Sequence, residues 1–286
     1  MYKYDFEGKV ALVTGAGSAQ SMGREIAMEF ARQGADVVVV DKFMVPPTVR
    51  KENADWGGLP QIVSEIEALG RKALAVEGDI SDPAACQNIA DETIRKFGKL
   101  DFFVNAVGLR GPSGILTEDF DPAAWKLVLD VNLNGVFYLT QSVVKAMRIG
   151  GTQGKRIVYF SSQAGVEGTP FMTPYCVAKH GVLGLMKSLS KELAPDGILV
   201  NAISPLTFAT NFRDATAAIE AEKQGVDVED IIKGDKISRG GNNLNIPLGR
   251  PGYPADAAAF VMYLCSSGNE YMTGQNFLMN GGNRCL

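Results

Sequence analysis

Residues 10–41 read VALVTGAGSAQSMGREIAMEFARQGADVVVVD. Two apolar, β-branched runs, VALVT (10–14) and DVVVVD (36–41), flank a segment with apolar residues at 26, 27, 30 and 31. Short apolar runs bounded by glycine turns read as buried strands, and the intervening spacing reads as an amphipathic helix that stops at Gly34. A strand that is apolar along its whole length has to be covered on both faces. That favours a parallel sheet, whose strands are joined by crossover helices of one hand.

The same unit recurs along the chain. Further strands are expected at 72–80, 100–108, 155–162, 198–205 and 276–282. Helices are expected from about 59 to 70, over 83–98, as one long element over 120–148, around 174–194 and over 254–267. The alternation repeats about seven times, without a repeat, low-complexity tract or linker that would divide it. The fold class expected is therefore α/β: a single domain over 1–286, a doubly wound, Rossmann-type sheet of about seven parallel strands with helices on both faces.

Composition narrows the function classes. The 286 residues are 46% hydrophobic and 21% charged, with a net charge of −4. No long Lys/Arg run marks a nucleic-acid partner. No run of 18 apolar residues marks a membrane span. MYKYDFEGK at the start lacks an apolar signal region, so a cytoplasmic protein is expected. Cysteines at 86, 176, 265 and 285 form no CxxC pair, and His180 is the sole histidine. No metal site is expected from that spacing, and a structural role is expected for His180.

In doubly wound sheets ligands bind beyond the carboxyl ends of the strands. Here those ends carry TGAGSAQSMG (14–23), Asp41, Asp79, Asn105–Gly108, Ser161–Ser162 and Pro205–Thr210. Glycines 15, 17 and 23 let backbone approach a diphosphate at a helix N-terminus. Asp41 stands where an acidic residue binds ribose hydroxyls and repels a 2′-phosphate, pointing to NAD with NADP less favoured; Lys42 beside it pulls the other way. Asp79 is a candidate acceptor for the adenine ring, with Ser81 as the more natural cap of the following helix. Tyr175 and Lys179 lie four residues apart in a helical segment, so one face carries both. A nearby ammonium favours phenolate over phenol, which would let Tyr175 exchange a proton with an alcohol or carbonyl.

These motifs together resemble the short-chain dehydrogenase/reductase family over nearly the whole chain: TG at 14–15, GD at 78–79, NAVG at 105–108, VNLNGVF at 131–137, SS at 161–162, YCVAK at 175–179, NAISP at 201–205 and TGQNFLMNGG near the end. The resemblance implies hydride transfer between NAD(H) and a secondary alcohol or ketone. It implies a catalytic set of Asn132, Ser162, Tyr175 and Lys179, with Ser162 thirteen residues before Tyr175. It also implies a cofactor site of Gly15, Gly17, Ser21, Met22, Gly23, Asp41, Asp79, Ile80, Asn105, Ala106, Gly108, Tyr175, Lys179, Pro205, Thr207 and Thr210. Asn132 would distort its helix and hold a water that links Lys179 to solvent. A homo-oligomer, tetramer or dimer, is implied too. A 3-oxoacyl thioester reductase using NADP(H) and a catalytically silent NAD-binding subunit are the alternatives.

Four departures from the family pattern stand out. The glycine loop is longer than TGxxxGxG, with Ser21 at a glycine position, and resembles the enoyl-reductase branch; that branch spaces Tyr and Lys seven apart, unlike this chain. NNAG is Asn105-Ala-Val-Gly108. Pro205-Leu206 replaces Pro-Gly. Residues 42–58 are inserted next to where adenosine would lie. Residues 206–246 are expected to form a substrate lid facing 110–120, with Arg110, Arg213 and Arg239 as solvated cations and Phe171, Met172 and Phe208 giving an apolar wall.

Overall fold

The structure is a computed structural model that describes residues 4, 6–47, 53–212 and 246–284, with 217–218, 221–222 and 225–231 between. Among these residues seven parallel strands form one sheet in the order β3-β2-β1-β4-β5-β6-β7. They are β1 Val10–Thr14, β2 Asp36–Asp41, β3 Ala73–Glu77, β4 Phe102–Asn105, β5 Arg156–Phe160, β6 Leu199–Pro205 and β7 Asn276–Met279. The helices are α1 Met22–Arg32, α2 Gly58–Ala68, α3 Pro83–Phe97, α4 Pro122–Leu129, α5 Gly135–Met147, α6 Thr173–Leu193 and α7 Pro254–Cys265.

The two-sided burial read from β1 and β2 is literal. Ala11, Val13, Val37 and Val39 enter one core with residues of α1, α2 and α7. Val10, Leu12, Val38 and Val40 enter the other with residues of α3, α5 and α6. Successive side chains point to opposite faces of a strand, so an unbroken valine run feeds both cores at once. The strand order reverses between β1 and β4. In doubly wound sheets that point, at the carboxyl edge, is where ligands bind.

The helical stretch 120–148 is distorted at Asn132, as the resemblance implied. Residues 130–134 form a π turn between α4 and α5. Asn132 lies in that turn and donates to Val128 O at 2.8 Å and to Leu109 O at 2.7 Å. Leu109 N donates back to its Oδ1 at 2.9 Å. A side chain bound to a neighbouring loop pulls the helix out of its regular ladder. The stretch 122–147 is also long and apolar enough to cross a membrane by length and composition, yet 50% of its most apolar window is buried inside the domain. Its inner face packs against α3 and α6.

One expectation changes, at α3. Asp82, not Ser81, caps this helix, accepting from Ala84 N at 2.9 Å. Such a cap contributes about 1 kcal/mol. Ser81 instead turns back, donating to Asp79 Oδ1 through both its N–H and its hydroxyl. Cys86, Cys176 and Cys265 are buried free thiols. Cys285, Arg213 and Arg239 lie outside the described residues, as does much of the 206–246 lid. His180 Nδ1 bonds to Cys176 O at 2.8 Å one turn back, a local helix contact that fits the expected structural role.

Candidate active site

The carboxyl edge brings the expected residues together. The glycine loop folds back on itself: a Cβ on Gly23 would sit 2.4 Å from Gly15 O, and one on Gly15 would sit 2.7 Å from Ala106 O. Gly15 also has a φ of +69°, in the left-handed region. Both positions therefore exclude side chains. Ser21 caps α1, accepting from Arg24 N at 3.0 Å, and its hydroxyl donates to Ala16 O at 3.3 Å. The serine at a glycine position is thus the helix cap of the lengthened loop. Met22 opens α1 and packs on the core beside β1.

Thr14 donates to Asn105 Oδ1 at 2.7 Å, which holds the ends of β1 and β4 in line. Val107 N donates to the same oxygen at 3.3 Å. Ile80 is buried and its carbonyl accepts from Cys86 Sγ. Gly108 faces the Phe212 ring, which would lie 2.9 Å from a Cβ there. Pro205 ends β6 beside Met279. Thr207 O accepts from Gly252 N at 3.0 Å, and Thr210 accepts from Phe212 N at 3.4 Å.

At the end of β2, Asp41 Oδ2 accepts from Gly17 N at 2.8 Å, and Oδ1 accepts from Lys42 N at 2.7 Å. Burial pushes the Asp41 carboxyl up, against the pull of these two amides. Each oxygen keeps a lone pair for a hydroxyl. Lys42 is drawn aside: its ammonium meets Asp79 Oδ2 at 2.9 Å. Burial works against the Asp79 carboxylate, but Lys42 and Ser81 outweigh it and hold its pKa below the ordinary carboxylate value. This set fits a dinucleotide. Close-packed glycines lead to a capped helix N-terminus, a half-buried carboxylate ends β2, and a second carboxylate ends the turn after β3.

The expected catalytic residues converge from three elements. Tyr175 and Lys179 lie one turn apart on α6 and are 7% and 3% exposed. The Lys179 ammonium donates to Phe160 O at 3.0 Å and to Val107 O at 3.5 Å, and lies 5.7 Å from the Tyr175 ring centroid. Ser162, just past β5, accepts from Ala164 N at 3.2 Å and lies near enough to the Tyr175 phenol to favour its ionised form. Its neighbour Ser161 faces inward and donates to Lys179 O at 2.9 Å. Neighbouring strand positions face opposite ways, so Ser161 is turned toward the backbone of α6 and Ser162 away from it.

The electrostatics differ from the expectation that Lys179 lowers Tyr175. Burial raises Tyr175 to about 12; the Ser162 hydrogen bond and then the Arg110 charge pull it down. Burial lowers Lys179 to about 8, since its partners are neutral carbonyls. Arg110 is thus not merely solvated. It is half-buried, and its Nη2 lies 4.0 Å from Met172 Sδ, at the N-cap of α6. Asn132 is 0% exposed, and both amide hydrogens are committed to backbone carbonyls. Its side chain positions the 107–110 loop, so a water at this turn would rest on main-chain groups or on the second Oδ1 lone pair.

Two residues were not singled out as site residues from the sequence. Trp56, in the 42–58 insert, donates from Nε1 to Gly17 O at 2.6 Å. Phe212 lies 6.2 Å from the Tyr175 ring, centroid to centroid. Only for Trp56 was there a signal: a large amphipathic ring of this kind rarely stays wholly in solvent.

Comparison with known proteins decides the family. The model described as "Enoyl-(Acyl carrier protein) reductase" matches residues 15–284. The chain belongs to the short-chain dehydrogenase/reductase family. It is 33% identical over 276 residues to a 3-oxoacyl-(acyl-carrier-protein) reductase of Thermotoga maritima, covering 96% of this chain and 98% of that one. It is 32% identical over 283 residues to a (−)-trans-carveol dehydrogenase of Rhodococcus erythropolis, covering 96% and 97%. The carveol dehydrogenase of Mycobacterium avium, solved in complex with NAD, superposes with a TM-score of 0.81 at 26% identity, covering 98% and 99%. As a member of this family the chain is an oxidoreductase that uses a nicotinamide cofactor.

Proposed function

We propose that the chain is an NAD-dependent dehydrogenase of secondary alcohols, equally able to reduce the matching ketones. One observation carries the reading: Tyr175 and Lys179 are buried one turn apart on α6, the ammonium held by Phe160 O at the carboxyl edge of the sheet, with Ser162 just past the end of β5. Ser162 donates to the substrate oxygen and steadies the charge that develops there. Tyr175 takes the hydroxyl proton during oxidation and returns it during reduction. Lys179 holds the ribose nearest the reaction. The nicotinamide, when bound, would accept or supply the hydride, and its oxidised form would bring a positive charge that favours phenolate. Asn132 holds the loop that walls the site.

Asp41 and the diversion of Lys42 to Asp79 support NAD over NADP. A carboxylate at that ribose repels a 2′-phosphate, and the neighbouring cation is already paired. The test is a screen of secondary alcohols with NAD and with NADP, following absorbance of the reduced cofactor. NAD-linked turnover of a secondary alcohol is expected. NADP-linked reduction of a 3-oxoacyl thioester, with no alcohol oxidised, would instead favour the activity named for the Thermotoga maritima relative. Absence of turnover with either cofactor would overturn both. Self-association is part of the proposal: Trp125, Leu127 and Phe137 stand exposed along α4 and α5. Light scattering that finds only monomer would contradict it.

A further inference from the structure

The insert after β2 meets the glycine loop through one side chain. Trp56 Nε1 donates to Gly17 O at 2.6 Å, across 39 residues of sequence. The indole is itself held. The Arg24 guanidinium lies over it, 5.0 Å from the ring centroid. That guanidinium pairs with Glu65 of α2 at 2.7 Å and donates to Ala19 O at 3.4 Å. Gln61 donates to Glu65 at 2.9 Å and accepts from Gly57 N at 3.0 Å. On its other side, Gly17 N donates to Asp41 at 2.8 Å. Both backbone polar groups of Gly17 are therefore held by side chains, one from β2 and one from the insert.

Consequences follow from peptide geometry. In a trans peptide the C=O and the next N–H point opposite ways. Holding Gly17 C=O toward Trp56 turns the Ser18 N–H away from the insert. A loop amide oriented before binding avoids the ordering cost when it meets a ligand oxygen. This loop leads into the capped N-terminus of α1, where anionic oxygen is favoured.

We propose that Trp56 is a positioning residue of the dinucleotide site, fixing the glycine loop through Gly17 for the diphosphate and adenosine ribose. The proposal rests on the nicotinamide-dinucleotide reading above. Trp56→Phe keeps an aromatic ring under Arg24 but removes the N–H donor. Calorimetric titration of the full chain with NAD is expected to show about tenfold weaker binding. The kcat at saturating NAD and the KM for alcohol should stay within about twofold. A purely structural role would lower the melting temperature of the protein without separating NAD affinity from kcat. If Trp56→Phe does not fold, Arg24→Met, which removes the cation above the indole, should weaken NAD by about threefold. In a Trp125→Phe background Trp56 is the one remaining indole of the two, and its emission should follow the titration. Unchanged NAD affinity in the folded variant, with wild type binding normally, overturns this proposal alone. A wild type that binds no dinucleotide overturns the cofactor reading with it.

Discussion

The two halves of the carboxyl edge are built differently. At the catalytic half the polar groups are buried and tied to backbone: Lys179 to Phe160 O, Asn132 to Leu109 and Val128, Ser161 to the helix that carries Tyr175. At the adenosine half they are more exposed and tied to one another across the chain: Lys42 to Asp79, Asp41 and Trp56 to the two sides of Gly17. Buried groups bonded to rigid strands and helices are preorganised, which suits proton transfer. Exposed pairs such as Lys42–Asp79, with side chains 53% and 33% exposed, contribute roughly 0–1 kcal/mol and adjust easily. Chemistry should therefore be the sensitive property of one half, and cofactor choice the adjustable property of the other.

Substitutions can break that division, beginning with the most drastic. Tyr175→Phe is expected to cut kcat by about 10²–10⁴-fold, measured by reduced-cofactor absorbance, because the proton acceptor is gone. Ser162→Ala should cost about 10²-fold in kcat, since one donor to the reacting oxygen is lost, with little change in NAD affinity. In the other half, Asp41→Ala should leave kcat with NAD nearly intact. It should shift the ratio of kcat/KM for NADP over NAD upward by about tenfold, the change set by removing one repulsive charge.

The smallest effect concerns stability. Burial lowers Lys179 from 10.5 to about 8. Between those values the unfolded chain binds more protons, so the stability of the cofactor-free protein rises with pH there. Below pH 8 both states hold the proton, and the burial penalty is felt in full. Lys179→Met should then stabilise the cofactor-free protein by about 1–3 kcal/mol near pH 7, although it abolishes the lysine's part in binding and turnover. The gain should shrink between pH 8 and pH 9.5. Tyr175, raised to about 12, works in the opposite sense only above pH 10. Denaturant titrations at pH 7 and pH 9.5 read the difference.

Much of this was legible in the sequence because it is local. The valine run of β2 can only be buried on two faces, and the spacing of Tyr175 and Lys179 fixes one helical face. Ser162 against Ser161 is a matter of strand alternation. What was not legible depends on contacts between distant segments. The bond from Trp56 to Gly17 joins an insert whose path no periodicity describes. The half-buried place of Arg110 against Met172 depends on the 107–110 loop that Asn132 pins. The cap of α3 passed from Ser81 to Asp82 because Asp79 engages both donors of Ser81. The sign of the Tyr175 shift turned on burial, which spacing does not report.

The division between the halves is tested most directly by titrating Tyr175→Phe and Trp56→Phe with NAD, side by side, while measuring turnover at saturating NAD. Tyr175→Phe should bind NAD within about twofold of wild type and be nearly inactive, while Trp56→Phe should bind about tenfold more weakly and turn over normally. Affinity and turnover falling together in both variants would contradict the account.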